Sequence, residues 1–252
     1  MAKMKITIVK VGANYTWKTL DMNIGKIHSH GYMINENCAE DEGCLLLMTA
    51  TARREMFEFI QWRNMKTQAN RNEQGGLLAG IHCSVPGYEG KICIVQHVFP
   101  LNEARSSAGY LDASAADWGV AYTKMDQLSA QLGERLEPLG WFHTHPNDLP
   151  IFMSGTDRFT QRKVFSGEYS YAVVLNPHTG RWGAFRSNDA HDACCVMLDT
   201  DDLTLLCGAE PEKKPIKMKK SDGKRLRRRN IDKAKEYLRR RNIDKDQKLL
   251  RA

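Results

Sequence analysis

Apolar residues recur with two periods along this chain, and together they mark out alternating strands and helices. MKITIVK at 4–10 alternates with period two and predicts a strand, whereas the Gly-, Asn- and Glu-rich stretch after it fixes no element. From Leu45 the pattern sharpens. LLLM is a short unbroken apolar run suited to a buried strand, and Thr49 or Thr51 can cap a helix whose apolar face, Met56, Phe57, Ile60 and Trp62, runs to about Lys66. After the polar turn QANRNE, GGLLAGIHCSV and KICIVQHVF predict two strands joined across PGYEG in the manner of a hairpin. A helix is predicted over 115–136, with Trp118, Ala121, Tyr122, Met125, Leu128 and Leu132 on one face; Glu137, Pro138 and Gly140 end it. Trp141 to His145 is the next strand, Asp157 to Phe165 a helix, and YSYAVVLN and RWGAF are paired strands around NPHTG. Strands and helices mixed in this order predict an α/β or mixed α+β layer fold, with a central mixed sheet flanked by helices, rather than a bundle or barrel.

Length and composition refine this little: 252 residues, 42% of them hydrophobic, suffice for one full-sized core. Charge changes the picture more. Residues 211–252 hold 18 Lys and Arg against 6 Asp and Glu, a charge of +12, while the rest of the chain is acidic at −5. Three regions follow: an N-terminal extension at 1–41, a main domain at 42–210 and a basic tail at 211–252. The tail repeats itself, LRRRNIDKAKEY at 226–237 being followed at once by LRRRNIDKDQKL at 238–249. Two copies of twelve residues are too few for a solenoid and suit a basic helix or arm. No apolar run of about 18 residues is present, and MAKMKITIVKVG lacks the features of a secretory signal, so a cytoplasmic protein with no membrane partner is expected. The cysteines at 38, 44, 83, 93, 194, 195 and 207 form no CxxC pair and are expected to be reduced structural thiols.

Candidate chemistry concentrates in GWFHTHPNDLPIFMSGTD at 140–157. Residues i and i+2 of a strand share a face, so His143 and His145 can aim at one point. Asp157 can add an oxygen across the loop and leave a fourth position to water, a donor set that suits catalytic zinc. The same Ser-x-x-Asp is also a capping-box pattern, with Ser154 at the N-cap, and histidines two apart are ordinary in strands. Spacing alone leaves both readings open. A second pair, His28 and His30 in KIHSHGY, has Asp41 eleven residues beyond it. Gly31 stands there where Pro146 follows His145, and Cys38 stands where a serine is needed, so this pair is read as surface or loop histidines. Nor does the chain show the repeated strand and helix alternation of an amidohydrolase barrel.

NEQGGLLAG at 72–80, GWFHTHP and SGTD, in this order, resemble the JAMM (JAB/MPN-plus) zinc metalloproteases, especially their prokaryotic members, over roughly residues 42–190. The family pattern is a Glu leading into Gly-Gly-Leu-Leu-x-Gly, then His-[Ser/Thr]-His-Pro, then Ser-x-x-Asp seven residues after the second His. Eight residues, PNDLPIFM, intervene here, and loops absorb such insertions. The resemblance implies a JAB/MPN (cytidine-deaminase-like) architecture, one zinc held by His143, His145 and Asp157, Glu73 as general base and Ser154 as oxyanion donor. It further implies isopeptidase action after the C-terminal Gly of a ubiquitin-like protein or its conjugates, with E1/E2-like enzymes as further partners and the thin modifier tail held by strand pairing. Thr144, on the opposite face from the histidines, is expected in the core or behind the site; Trp141 and Phe142 are expected to pack. Gly75 and Gly76 either let backbones pack closely or mark a bulge.

Three other readings remain open on sequence grounds, one of which keeps the zinc chemistry but changes the substrate to sulfur-carrier tails or cell-wall-like peptides. Relatives of this family without metal ligands serve as scaffolds, although all five motif residues are present here. The tail could bind nucleic acid or an acidic partner in a salt-dependent way, but with Tyr237 as its one aromatic it offers no stacking platform, and a solvated extension is the favoured reading.

Overall fold

The computed structural model describes residues 15, 17–38, 44–64, 72–86 and 90–207. The chain divides into two units, Met1–Ala209 and Glu210–Ala252. The strand predicted at 4–10 and the basic tail lie outside the described residues.

In chain order the elements are β1 (Trp17–Thr19), α1 (Ile24–Ser29), β2 (Gly31–Ile34), β3 (Cys44–Met48), α2 (Ala50–Phe59), β4 (Gly75–Ser84) and β5 (Lys91–Pro100). Then come β6 (Arg105–Ser107), β7 (Tyr110–Asp112), α3 (Ala115–Leu132), β8 (Glu137–Thr144), α4 (Gly155–Val164), β9 (Tyr171–Asn176), β10 (Arg181–Arg186), β11 (His191–Asp192), β12 (Cys194–Leu198) and a 3-10 turn at Leu203–Leu206. One mixed sheet runs β11-β10-β9-β8-β4-β5-β3-β12-β2, with β1 beside the far end of β4; β6 and β7 form a separate hairpin. The class is mixed α+β. Residues 17–34 therefore add two strands to the sheet. No helix among the described residues is long and apolar enough to cross a membrane.

The period-two alternation sorts side chains onto two faces. Leu46, Met48, Leu78, Phe142 and Val173 join α2 in one cluster, while their neighbours Leu77, Trp141, Ala172 and Val174 pack with Trp118, Ala121 and Met125 of α3 and with Phe165. β4, β8 and β9 are thus covered on both faces, which explains their near-continuous apolar runs. Each large side chain so buried contributes about 1.5–3 kcal/mol.

Three expectations need correction. α2 stops at Phe59 instead of running to about Lys66, because Gln61 and Arg63 take left-handed backbone angles (φ 50° and 62°) and the Arg63 N–H donates to the Pro177 carbonyl at 2.9 Å. α3 ends at Leu132, since Gly133 is a left-handed C-cap (φ 64°) whose N–H bonds Ser129 O. Glu137, Pro138 and Gly140 consequently belong to β8. Gly140 (φ 145°) sits where β8 lies so close to β9 that a Cβ would fall 1.9 Å from the Tyr171 carbonyl oxygen. Finally, Cys38 and Cys194 form a disulfide, brought to a Cα separation of 4.2 Å by the pairing of β2 with β12. Their 156-residue separation hid this. For this pair it overturns the expectation of reduced thiols.

Candidate metal centre

β8 ends where its sequence turns from apolar to polar. Trp141 and His143 share the face toward α3 and α4, and the Trp141 ring stacks on the His143 ring at 4.4 Å and 16°. The indole N–H of Trp141 donates to Gln161 Oε1 at 2.8 Å, and Gln161 Nε2 donates to the carbonyls of Phe165 and Ser170. Gln161 therefore ties α4 to β8. His145 follows the last strand residue, and its backbone N–H donates to the Leu175 carbonyl of β9 at 2.8 Å.

α4 begins with a complete capping box. Ser154 Oγ accepts from the Asp157 N–H at 3.2 Å, and Asp157 Oδ2 accepts from the Ser154 N–H at 2.7 Å. That same Oδ2 lies 3.4 Å from His143 Nε2 and 3.7 Å from His145 Nε2. The ligand atoms of His143, His145 and Asp157 all lie within 4.8 Å of one another, and all three residues are buried. Capping and convergence are two uses of one motif.

The donor set fits a divalent ion. His143 is fully buried; its Nδ1 has no hydrogen-bond partner, and its Nε2 has only the 3.4 Å contact with Asp157, an arrangement that costs free energy unless something else satisfies it. His145 Nδ1 lies 2.8 Å from the Pro150 carbonyl, which can only accept, so Nδ1 carries the proton and the Nε2 lone pair is left for a metal. Two imidazoles and one carboxylate together could hold a metal ion.

These groups also act on one another electrostatically. Burial works against ionisation of Asp157, but the charge of His143, together with contacts from His145 and Ser154, outweighs it and holds the carboxyl well below the usual carboxylate range. Burial opposes a charge on His145 too, yet Asp157 and the Pro150 carbonyl raise its pKa. For Glu73 burial dominates and pushes the pKa up, with His143 and His145 partly opposing.

Glu73 reaches this group through strand register. Gly75 pairs with His143, and the next step is stapled twice: Thr144 N–H donates to Gln74 O, and Gln74 N–H donates to Thr144 Oγ1, both at 2.8 Å. Glu73 stands one residue before Gln74, near enough for His143, His145 and Asp157 to act on its carboxyl electrostatically. Its N–H donates to Ser107 O of β6 at 2.7 Å, and its buried side chain lines a cavity of about 200 Å³ with Phe59, Leu101, Ser106 and Leu111. A Cβ on Gly75 would fall 2.5 Å from Leu111 Cδ2 and 2.7 Å from the Phe142 carbonyl oxygen. Close approach, and not a bulge, is what this glycine permits; the irregularities of β4 fall further along, around Ala79.

The structure thus brings His143, His145 and Asp157 together, leaves buried Glu73 within their electrostatic reach and places Ser154 at the adjoining cap. The eight-residue loop keeps Asp157 in the group, and exposed Phe152 packs edge-on to the His145 ring at 4.9 Å. By contrast, His30 pairs with Asp199 at 3.1 Å; the His28 side chain and Asp41 lie outside the described residues. Sequence reasoning missed the β6–β7 hairpin beside Glu73, whose three-residue strands are too short for a periodic signal. Compared with known protein families and with curated proteins, the chain matches none.

Proposed function

We propose that the protein is a JAMM-type zinc-dependent isopeptidase or peptidase of JAB/MPN architecture, hydrolysing the amide after the C-terminal glycine of a ubiquitin-like modifier. One observation carries this reading: the ligand atoms of His143, His145 and Asp157 lie within 4.8 Å of one another, with buried Glu73 close enough for all three to act on its carboxyl electrostatically. His143 and His145 would hold the ion through Nε2, and Asp157 through a carboxylate oxygen. A bound zinc would supply Lewis acidity that brings the pKa of a water to about 7 and polarises the scissile carbonyl.

Glu73 takes a proton from the attacking water and delivers it to the departing amine. A carboxylate raised by burial is better matched to this two-way transfer at neutral pH than an exposed one, and such a group typically contributes about 10²- to 10⁴-fold. Ser154 accepts from the Asp157 N–H, which leaves its own hydroxyl proton free to be donated to the developing oxyanion. The β6–β7 hairpin pairs with no other strand among the described residues and lies directly against Glu73, so its edge suits an extended peptide tail.

The test is zinc analysis of the purified protein, together with cleavage of a panel of ubiquitin-like conjugates with and without a chelator. One zinc per chain and chelator-sensitive release of the modifier are expected. A zinc-free wild type, or cleavage indifferent to the chelator, overturns the proposal.

A further inference from the structure

A metal-binding imidazole is only as well aimed as the group that holds its other nitrogen. For His145 that group is the Pro150 carbonyl, in a loop with no regular secondary structure of its own. What fixes the carbonyl therefore fixes the ligand.

The loop opens with a turn over Pro146–Leu149, in which the Leu149 N–H reaches the Pro146 carbonyl at 3.4 Å and Asn147 takes a left-handed angle (φ 60°). Asparagine tolerates that conformation, and the prolines at 146 and 150 restrict the backbone on either side. The remaining restraint comes from the end of β9. Asn176 is fully buried, and its side-chain amide makes four hydrogen bonds. Nδ2 donates to the carbonyls of Asn147 at 2.9 Å and Leu149 at 2.8 Å; Oδ1 accepts from the N–H groups of His178 and Thr179, both at 2.9 Å. His178 Nδ1 accepts from the Asn147 N–H at 2.7 Å, a third bond between this turn and the loop. The residue before Asn176, Leu175, accepts the backbone N–H of His145 itself.

We infer that Asn176 is a positioning residue for the metal site: it clamps the 147–149 turn so that the Pro150 carbonyl holds His145 with Nε2 facing the ion. This rests on the zinc reading above. The amide is used in one orientation, two donors toward carbonyls and one acceptor toward N–H groups, so no carboxylate can replace it. Asn176→Asp keeps the size of the side chain but turns an acceptor oxygen toward two carbonyls.

The experiment measures the zinc dissociation constant by competition with a chromophoric chelator, and the thermal unfolding of the metal-free protein, in wild type, Asn176→Asp, His178→Ala and Asn35→Ala. Asn35 is the control. It is also buried and is bonded three times, to Ala193 O, Asn37 and the Cys195 N–H, but it joins β2 to β12 and none of these partners lies in the loop. Asn176→Asp is expected to weaken zinc binding about 10- to 100-fold, the usual effect of losing such outer support. Asn35→Ala is expected to lower thermal stability while leaving zinc affinity within about two-fold, as distant independent sites do. Unchanged affinity in folded Asn176→Asp, or an equal loss in the Asn35 control, overturns the inference while leaving the zinc reading intact. A wild type that binds no zinc overturns both. Should Asn176→Asp not fold, the milder His178→Ala carries the test: weaker zinc binding supports the clamp, and wild-type affinity refutes it.

Discussion

Because β4 and β8 run antiparallel, each end of the pair buries a glutamate with histidine, and the two ends do opposite things with them. At one end His82 Nδ1 and Glu137 Oε2 are 2.8 Å apart, almost wholly inaccessible, with the rings of Tyr15 and Trp17 packed on the imidazole at 4.5 and 5.2 Å. Carboxylate and imidazole Nδ1 are committed to each other there, a closed pair even though Glu137 also lines a cavity of about 540 Å³. At the other end Glu73 is held by backbone register instead of by an imidazole, while His143 and His145 turn their Nε2 atoms toward Asp157. A buried His and Glu together are therefore not the mark of a catalytic site. What separates the ends is whether the imidazole nitrogens converge with a carboxylate on a shared point, as those of His143 and His145 do with Asp157.

The largest expected effect tests that convergence. Asp157→Asn keeps a side chain that can accept from the Ser154 N–H but removes the anionic ligand, so zinc occupancy and hydrolysis should both be lost, as read by elemental analysis and a conjugate-cleavage assay. Asp117→Asn makes the same change in the capping box of α3, where Asp117 Oδ2 bonds the Ser114 N–H at 2.7 Å on an exposed surface, and should leave zinc and turnover unchanged. Full zinc in Asp157→Asn would mean the three residues are not a ligand set.

Next, Glu73→Gln should keep zinc and lose about 10²- to 10⁴-fold in turnover, the range for a missing general base. Glu137→Gln is its mirror at the closed end. Its amide oxygen can still accept from His82, so it should alter stability by about 1–3 kcal/mol, as for a weakened buried charged hydrogen bond, without lowering turnover. Equal losses of turnover in the two variants would erase the distinction between the ends.

Much of the open end could be read from local spacing and little of the closed end could. The i, i+2 rule put His143 and His145 on one face, and Ser154 with Asp157 declared a cap, because both facts are contained within four residues. That Glu73 belongs with them came from a family pattern. The physical cause, Gly75 opposite His143 with Thr144 stapled to Gln74, joins residues about 70 apart, and pairing register cannot be read from one strand alone. The His82–Glu137 contact and the Cys38–Cys194 bond are non-local in the same way. Helix ends were misjudged where backbone angles outweighed apolar periodicity, at Gln61 and at Gly133.

A smaller effect separates the two uses of Ser154. Ser154→Ala removes the cap and, on the proposed mechanism, the oxyanion donor, so it should cost about 0.5–2 kcal/mol of stability and about 10²- to 10³-fold in turnover. Ser114→Ala removes a cap of the same design at α3 and should show the stability loss alone. Steady-state kinetics beside urea unfolding of both variants decides. A Ser154→Ala protein with full turnover would reduce that hydroxyl to a helix cap.

The smallest effect is on the stability of the metal-free protein, and its sign follows from Glu73. Burial raises this carboxyl above its unfolded value of about 4.3. Between the unfolded and folded pKa values the native state binds more protons than the unfolded state, so wild-type stability falls as pH rises through that window and stays lowered above it. Glu73→Gln has no such charge to bury. It should be the more stable protein at neutral pH, and the advantage should vanish once the pH drops below the unfolded value. Urea midpoints across that range check it, with Glu137→Gln as the comparison, since its partner His82 already accommodates the carboxylate. If Glu73→Gln is less stable at neutral pH, its charge is being used structurally, as at the closed end. If it is more stable, the fold keeps an unfavourable buried carboxylate beside the histidines, and catalysis is a reason to keep it there.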